Sequence, residues 1–249
     1  MASNKVFGLV GKNIAYSFSR NYFSEKFNTL ELTTHSYVNF DLSSIQEFDT
    51  IFDVHPNELS GLNVTIPYKE VVGEYLDEID PEAHNIGAIN TVKVFPSGKK
   101  KGYNTDVYGF EKSIQPLLKE SHKKALILGT GGASKAVAYA FSKLGISYLF
   151  VSRKPKSTDE ISYESLSESL MSEYTILVNC TPLGTSPNTD LCPDIPYASI
   201  GAAHLLYDLI YNPAETTFLS KGKAQGAWIK NGLEMLELQA EKSWEIWNS

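Results

Sequence analysis

The apolar positions of this chain recur with two periods, and the switch between them is sharpest over residues 123–154, KKALILGTGGASKAVAYAFSKLGISYLFVSRK. Ala125–Leu128 is an unbroken apolar run ended by Gly129, the pattern of a strand buried on both faces. From Ala133 to Leu144 the apolar residues Ala133, Ala136, Val137, Ala140, Phe141 and Leu144 follow helical spacing, and Gly145 stands where a helix C′ residue belongs. Tyr148–Val151 is a second apolar run. The pattern predicts strand, glycine turn, helix and strand, with the helix as a right-handed crossover between parallel strands.

Ahead of this unit, strands are expected over Val6–Val10, His35–Leu42 and Leu59–Ile66. Helices are expected over Arg20–Leu30, capped by Ser19, and over Ser43–Phe52. Pro67 is expected to open a short helix, because proline fits a first helical turn. Pro96-Ser97-Gly98 between Ile89–Phe95 and Lys99–Asn104 predicts a hairpin, and Asp106 starts a helix to about Leu118. After Ser152 come a polar loop, a helix over Tyr163–Glu173, and parallel strands over Thr175–Asn179 and His204–Leu209. A terminal helix, Gly232–Trp247, puts Leu233, Leu236, Ala240, Trp244 and Trp247 near one face, toward a core. Without a Gly/Ser linker or an internal repeat, the domain boundary is expected in ordered structure within 106–122. This is an α/β chain: a mixed α/β domain over 1–105, a Rossmann-like domain over 106–231, and a last helix, 232–249, packing back on the first.

Composition narrows the function classes. With 249 residues, 42% hydrophobic and 20% charged, the chain has material for a sizeable core. A net charge of −7 argues against nucleic acid or an anionic membrane as the main partner. Cys180 and Cys192 have neither metal-ligand nor disulfide spacing, no metal is expected, and a reducing compartment fits. No apolar run is long enough to span a bilayer and MASNKVFGLVGKN lacks a leader pattern, so the expectation is a cytoplasmic enzyme.

The glycine turn has its own chemistry. A glycine at the strand end turns tightly, a second lets a pyrophosphate approach the main chain, and the next helix offers free N–H groups to phosphate. G-x-G is present at Gly129 and Gly131, while Ser134 stands in place of a third glycine; Ser134 and Ala136 also exclude a phosphate-binding loop of the Walker type. An NAD site usually places Asp or Glu about 20 residues after the glycines, on the ribose hydroxyl. Here that region is Ser152-Arg153-Lys154, then Lys156, with no acid before Asp159. A guanidinium pairs bidentately with a 2′-phosphate that a carboxylate would repel, which reads as NADP.

Polar residues gather at element ends in the first domain: Ser17 and Ser19, then Asn63, Thr65 and Lys69 in GLNVTIPYK, Asn90 in GAINT, and Asn104, Thr105 and Asp106 in GYNTD. Singly, each has an ordinary structural reading as a cap or strand-end hydrogen bonder. Together they suit a small hydroxyl-rich ligand with one carboxylate. GLNVTIPYK, GAINTV, GYNTDVYGF, GTGGASKA and GLEMLELQA, in this order and over nearly the whole chain, resemble the shikimate dehydrogenase family.

The resemblance implies NADPH-dependent, reversible reduction of 3-dehydroshikimate to shikimate in aromatic amino-acid (chorismate) biosynthesis, in a cleft between an N-terminal substrate domain and a C-terminal cofactor domain. It implies Ser17 and Ser19 on the substrate carboxylate, with Asn63, Thr65, Asn90, Asp106 and Gln239 around the ring hydroxyls and ketone. Lys69 and Asp106 would be the catalytic pair. Gly129, Gly131, Gly132 and Ala133 would line the pyrophosphate, and Ser152, Arg153 and Lys154 the 2′-phosphate. Thr181 and Leu183 would lie along the cofactor, with Tyr211 and Gly232 near the nicotinamide. The protein would act as a monomer or homodimer on a small molecule. Tyr16 and Arg20 depart from the family's usual histidine and proline around the serine pair. Two other readings stay open: an NAD-linked quinate/shikimate dehydrogenase, opposed by the basic cluster, and a catalytically silent NADP-binding sensor, opposed by the presence of both Lys69 and Asp106.

Overall fold

The computed structural model describes residues 4–15 and 17–249. It divides into two compact units, one reaching to Thr105 and including Ala240–Ser249, the other Asp106–Gln239.

The first unit holds strands β1 (Lys5–Gly11), β2 (His35–Asp41), β3 (Leu59–Val64), β4 (Glu78–Ile79), β5 (Thr91–Val94) and β6 (Lys100–Tyr103). They form one sheet in the order β2-β1-β3-β5-β6-β4. β1 lies parallel to β2 and β3, while β3-β5 and β5-β6 are antiparallel. The hairpin expected around Pro96-Ser97-Gly98 is the β5-β6 pair. Helices α1 (Phe18–Thr29), α2 (Thr50–Val54) and α3 (Pro81–Ile86) connect the strands. Asp80 caps α3 by accepting from the Glu82 N–H, and Pro81 takes the first turn, a helix the apolar pattern did not disclose because it is only six residues long.

One face of this sheet is closed by an aromatic cluster of Phe7, Phe23, Phe27, Tyr37 and Trp247, with Trp244 packed against it. Burying each Phe contributes roughly 1.5–3 kcal/mol. Trp247 lies over Gly61, where a Cβ would overlap the indole ring, and donates from Nε1 to the Val92 carbonyl at 3.0 Å.

The second unit is a fully parallel six-stranded sheet, β12-β11-β10-β7-β8-β9. Its strands are β7 (Lys124–Leu128), β8 (Ser147–Ser152), β9 (Glu160–Ser162), β10 (Ile176–Asn179), β11 (Leu205–Asp208) and β12 (Trp228–Lys230). Its helices are α4 (Asp106–Ile114), α5 (Gly132–Lys143), α6 (Glu168–Glu173) and α7 (Thr217–Ala224), and α8 (Leu233–Asn248) begins in this unit. The edge strands β9 and β12 have three residues each, too short to leave a period-2 signature. Leu126, Ile127, Leu128, Leu177, Val178 and Leu206 are completely enclosed, as expected of central parallel strands covered on both faces.

Several boundaries moved. The helix expected over Ser43–Phe52 is a 3₁₀ turn at Ile45–Glu47 followed by α2, and that over Tyr163–Glu173 is a 3₁₀ turn at Tyr163–Ser165 followed by α6. In α8 the buried apolar residues include Met235, whereas Leu233 is exposed. The helix expected at Pro67 does not form. The Lys69 carbonyl accepts from the Ile89 N–H at 2.7 Å, outside the local ladder, and residues 66–71 are turns. The first helical element after Pro67 is a 3₁₀ segment at Val72–Tyr75.

Candidate active site

In the first unit, Ser17, not Ser19, is the N-cap of α1, and its side chain makes no capping bond. Its hydroxyl oxygen is buried and has no hydrogen-bond partner among the described residues. A buried hydroxyl in that state is costly unless a ligand completes it. Ser19 sits in the first turn of α1, buried, beside the Tyr37 phenol. The direction of the Tyr37 bond to Asn63 follows from the network beyond it. The Asn63 amide nitrogen faces the Asn90 carbonyl, which can only accept, so the Asn63 oxygen faces Tyr37. Tyr37 therefore donates to Asn63, at 2.8 Å. Burial pushes the Tyr37 phenol far above its ordinary value, so it stays protonated. Tyr16 lies outside the described residues; Arg20 is exposed on α1.

Asn63 and Asn90 belong to one enclosed polar cluster. Asn63 Nδ2 donates to Ser243 Oγ at 3.0 Å, and Ser243 Oγ lies 2.7 Å from Thr91 Oγ1 and 3.1 Å from Thr105 Oγ1. The Asn90 side-chain oxygen accepts from the Thr105 N–H at 2.7 Å, and its nitrogen donates to Thr105 Oγ1 at 3.0 Å. Asn104 donates to the Ala88 carbonyl at 2.8 Å. These amides are set by protein partners. Ser243, fully buried on α8, and Tyr37 are members that reading the chain missed, because neither stands in a strand-end motif. Thr65 is half-buried, tied by its N–H to the Val10 carbonyl at 2.8 Å. Lys69 is half-buried in the turn region after Pro67.

Asp106, buried, is the first residue of α4 and of the second unit. In that unit the strand order reverses at β7, with β8 on one side and β10 on the other, and ligands of open parallel sheets sit beyond the strand C-termini at such a switch point. Gly129 follows β7 and Thr181 follows β10. Gly129 has φ +105°, a conformation that favours glycine, and a Cβ there would lie 3.2 Å from the Thr181 methyl. Gly131 is the N-cap of α5, with no side-chain cap, and a Cβ on it would meet no protein atom within 4 Å. Gly132 and Ala133 open the helix. Ser134, enclosed, donates to the Gly131 carbonyl at 2.6 Å, so the residue in place of a third glycine braces the turn. β8 ends at Ser152, whose hydroxyl accepts from the Lys154 N–H at 3.2 Å, and the Arg153 and Lys154 side chains are exposed. An open, uncapped helix start at the switch point and two exposed cations one strand away fit a phosphorylated dinucleotide.

The 180–184 and 209–213 loops are joined by side chains that the reading of the chain did not single out. Asn179 Oδ1 accepts from Thr181 N–H at 3.0 Å and Thr181 Oγ1 at 2.7 Å, and Leu183 N–H donates to Thr181 Oγ1 at 3.3 Å. Asn179 in turn contacts Asp208. An acid inside the apolar run LLYDLI was the available signal. Burial pushes the Asp208 carboxyl up to about 6, and the Cys180 thiol is pushed up by burial and by Asp208. Tyr211 is half-buried beyond β11. Gly232 N–H donates to the Ile210 carbonyl at 3.1 Å, and a Cβ on Gly232 would overlap the Leu209 carbonyl oxygen. Gln239 is buried on α8 and donates to the Leu236 carbonyl at 3.0 Å. Among the described residues no group of His, Cys, Asp and Glu could hold a metal ion, and no helix is long and apolar enough to cross a membrane.

Residues 9–92 match the family model described as the shikimate dehydrogenase substrate binding domain. A shikimate dehydrogenase (NADP(+)) from Methanococcus maripaludis is 35% identical, over 99% of this chain and 92% of its own length. The crystal structure of shikimate dehydrogenase 1 from Peptoclostridium difficile is 38% identical with a TM-score of 0.85, covering 98% of this chain and 91% of that one. A shikimate 5-dehydrogenase from Thermus thermophilus, solved in complex with NADP(H) and shikimate, is 29% identical with a TM-score of 0.85, covering 98% and 93%. With likeness at this level running almost end to end through both units, the chain belongs to the shikimate dehydrogenase family.

Proposed function

We propose that this protein catalyses the reversible, NADP-dependent reduction of 3-dehydroshikimate to shikimate. The observation that carries the reading is the nearly full-length likeness to relatives named shikimate dehydrogenase (NADP(+)). When bound, the cofactor supplies or accepts a hydride. Arg153 and Lys154 pair with its 2′-phosphate, and the N–H groups at the start of α5 meet its pyrophosphate. Thr181 and Leu183 would lie along the cofactor, and Tyr211 and Gly232 near its nicotinamide. Ser17, whose hydroxyl has no partner among the described residues, and Ser19 orient the substrate carboxylate. Asn63, Thr65, Asn90 and Gln239 surround the ring substituents, the two asparagines in orientations their own network sets.

Reduction of a ketone leaves a developing alkoxide, which needs a proton donor at that moment. Lys69 and Asp106 fill this role as a unit. Lys69→Ala is expected to lower kcat on 3-dehydroshikimate by about 100-fold or more with little change in KM, the scale of a positioned acid–base group. Asp106→Asn lowers kcat as well, and the double variant loses much less than the product of the single losses. NADPH binding, followed by fluorescence, persists in all three. A folded, NADPH-binding Lys69→Ala with near-normal kcat would overturn the assignment. Assays with NADH and with the quinate-series ketone, run in parallel, test the NAD-linked quinate/shikimate reading, and NADH is expected to show far lower kcat/KM because it offers Arg153 no 2′-phosphate.

A further inference from the structure

Strands β10 and β11 end side by side in two buried polar residues, Asn179 and Asp208, which face each other in the parallel register. Asp208 uses its two oxygens in different directions. Oδ1 accepts from Asn179 Nδ2 and from the Ile210 N–H, both at 3.0 Å. Oδ2 accepts from Thr216 Oγ1 at 2.6 Å, and Thr216 in turn caps α7 by accepting from the Leu219 N–H. Asn179 relays the hold: its oxygen takes both donors of Thr181, and its nitrogen also reaches the Leu183 carbonyl at 3.3 Å. One enclosed carboxylate thus ties down the loop after β10, the loop after β11 and the start of α7.

We propose that Asp208 is a positioning residue for the cofactor: through Asn179 and the Ile210 N–H it holds the loops carrying Thr181, Leu183 and Tyr211 in place for the nicotinamide half of NADP. The inference rests on the reading of the chain as NADP-dependent. Two arguments support it. An ionised carboxylate buried from solvent is expensive, and an apolar pair would serve packing better, so a requirement other than packing has to retain it. An ionised carboxylate is acceptor-only, and all three of its partners are donors aimed at it. Asparagine would turn one acceptor into a donor facing Thr216 or the Asn179 amide. The titratable groups facing it, the Cys180 thiol and the Tyr197 phenol, are both pushed up by burial and stay neutral. The residues read as holding the adenosine end, Ser152 to Lys154, follow β8, on the other side of β7 from β10 and β11. None of the hydrogen bonds made by Asp208 or Asn179 described above goes to them.

That separation supplies the test. Dissociation constants are measured for NADPH and for adenosine 2′,5′-bisphosphate, which carries only the adenosine end, with wild type, Asp208→Asn and Thr216→Val. Both variants are expected to bind NADPH about tenfold more weakly, the loss of one hydrogen bond to a charged group, and adenosine 2′,5′-bisphosphate within about twofold of wild type. Equal losses for the two ligands would mean general damage and overturn the inference, as would unchanged binding of both. If Asp208→Asn does not fold, Thr216→Val carries the same comparison, because it nearly keeps shape and removes only the hydroxyl that bonds Asp208 and caps α7. A wild type that fails to bind NADPH would sink the functional reading itself. A wild type that binds it, with variants indistinguishable from it, would sink only the role of Asp208.

Discussion

The Ser17 hydroxyl is buried with no partner among the described residues, whereas Ser19 lies beside the Tyr37 phenol, and this separates two serines that the sequence presents as equals. The Ser17 hydroxyl can donate to a carboxylate without breaking any bond to the described residues. Ser17→Ala is therefore expected to raise the KM for 3-dehydroshikimate by about tenfold with kcat little changed, and Ser19→Ala by less. A steady-state comparison giving the larger KM effect to Ser19→Ala would refute the ordering. Arg153 presents a different test. Its guanidinium can pair with a 2′-phosphate and stack on adenine, so Arg153→Ala should weaken NADPH binding by about 1.5–3 kcal/mol and NADH binding much less. Equal losses for the two cofactors would remove Arg153 as the source of selectivity.

Elements were legible where one face or both faces of a long segment are apolar. β7, α5 and β8 fall within about a residue of their expected bounds, because burial on both faces of a central parallel strand writes a run that no side chain outside the core interrupts. Pro67 misled because its local preference for a first helical turn competes with a tertiary hydrogen bond, Ile89 N–H to Lys69 carbonyl, that no local pattern records. Gly232 had appeared as a residue near the nicotinamide, and its backbone contact gives it a structural duty as well. Its Cβ would meet the Leu209 carbonyl oxygen, and backbone cannot move aside as a flexible side chain can. Gly232→Ala is expected to lower stability by about 1–3 kcal/mol in urea unfolding, the range for overpacking. An unchanged midpoint would show that the β11 and α8 ends relax freely.

For the whole molecule, Asp208 makes stability depend on pH in an unusual direction. Burial raises its folded value to about 6 from an ordinary 3.8. Between those values the folded chain holds the proton more tightly than the unfolded chain, so this group's contribution to stability is greatest at the acid end and falls as pH rises through about 6. Asp208→Asn lacks that titration. Denaturant unfolding of both proteins between about pH 4 and about pH 7 should show the wild type losing stability relative to the variant as pH rises. A difference that moves the other way would mean that the folded protein favours the carboxylate over the acid.

The sequence by itself determined the α/β class, the strand–glycine turn–helix–strand unit, the basic residues after β8 and, through its motifs, the family. Each of these is written locally, in the period of apolar residues or in a short run of residue types. Only the tertiary structure decided which polar groups are already satisfied. Ser17 and Ser19, two residues apart, differ because the Ser17 hydroxyl has no partner among the described residues while Ser19 lies beside the Tyr37 phenol brought in by β2. Asn63 and Asn90 are oriented by Thr91, Thr105 and Ser243, the last far along the chain on the terminal helix. Asp208 looked like one acid in an apolar strand until the parallel register brought Asn179 beside it. A hydrogen bond between residues far apart in the chain leaves no periodicity to read, and at this site such bonds set the geometry.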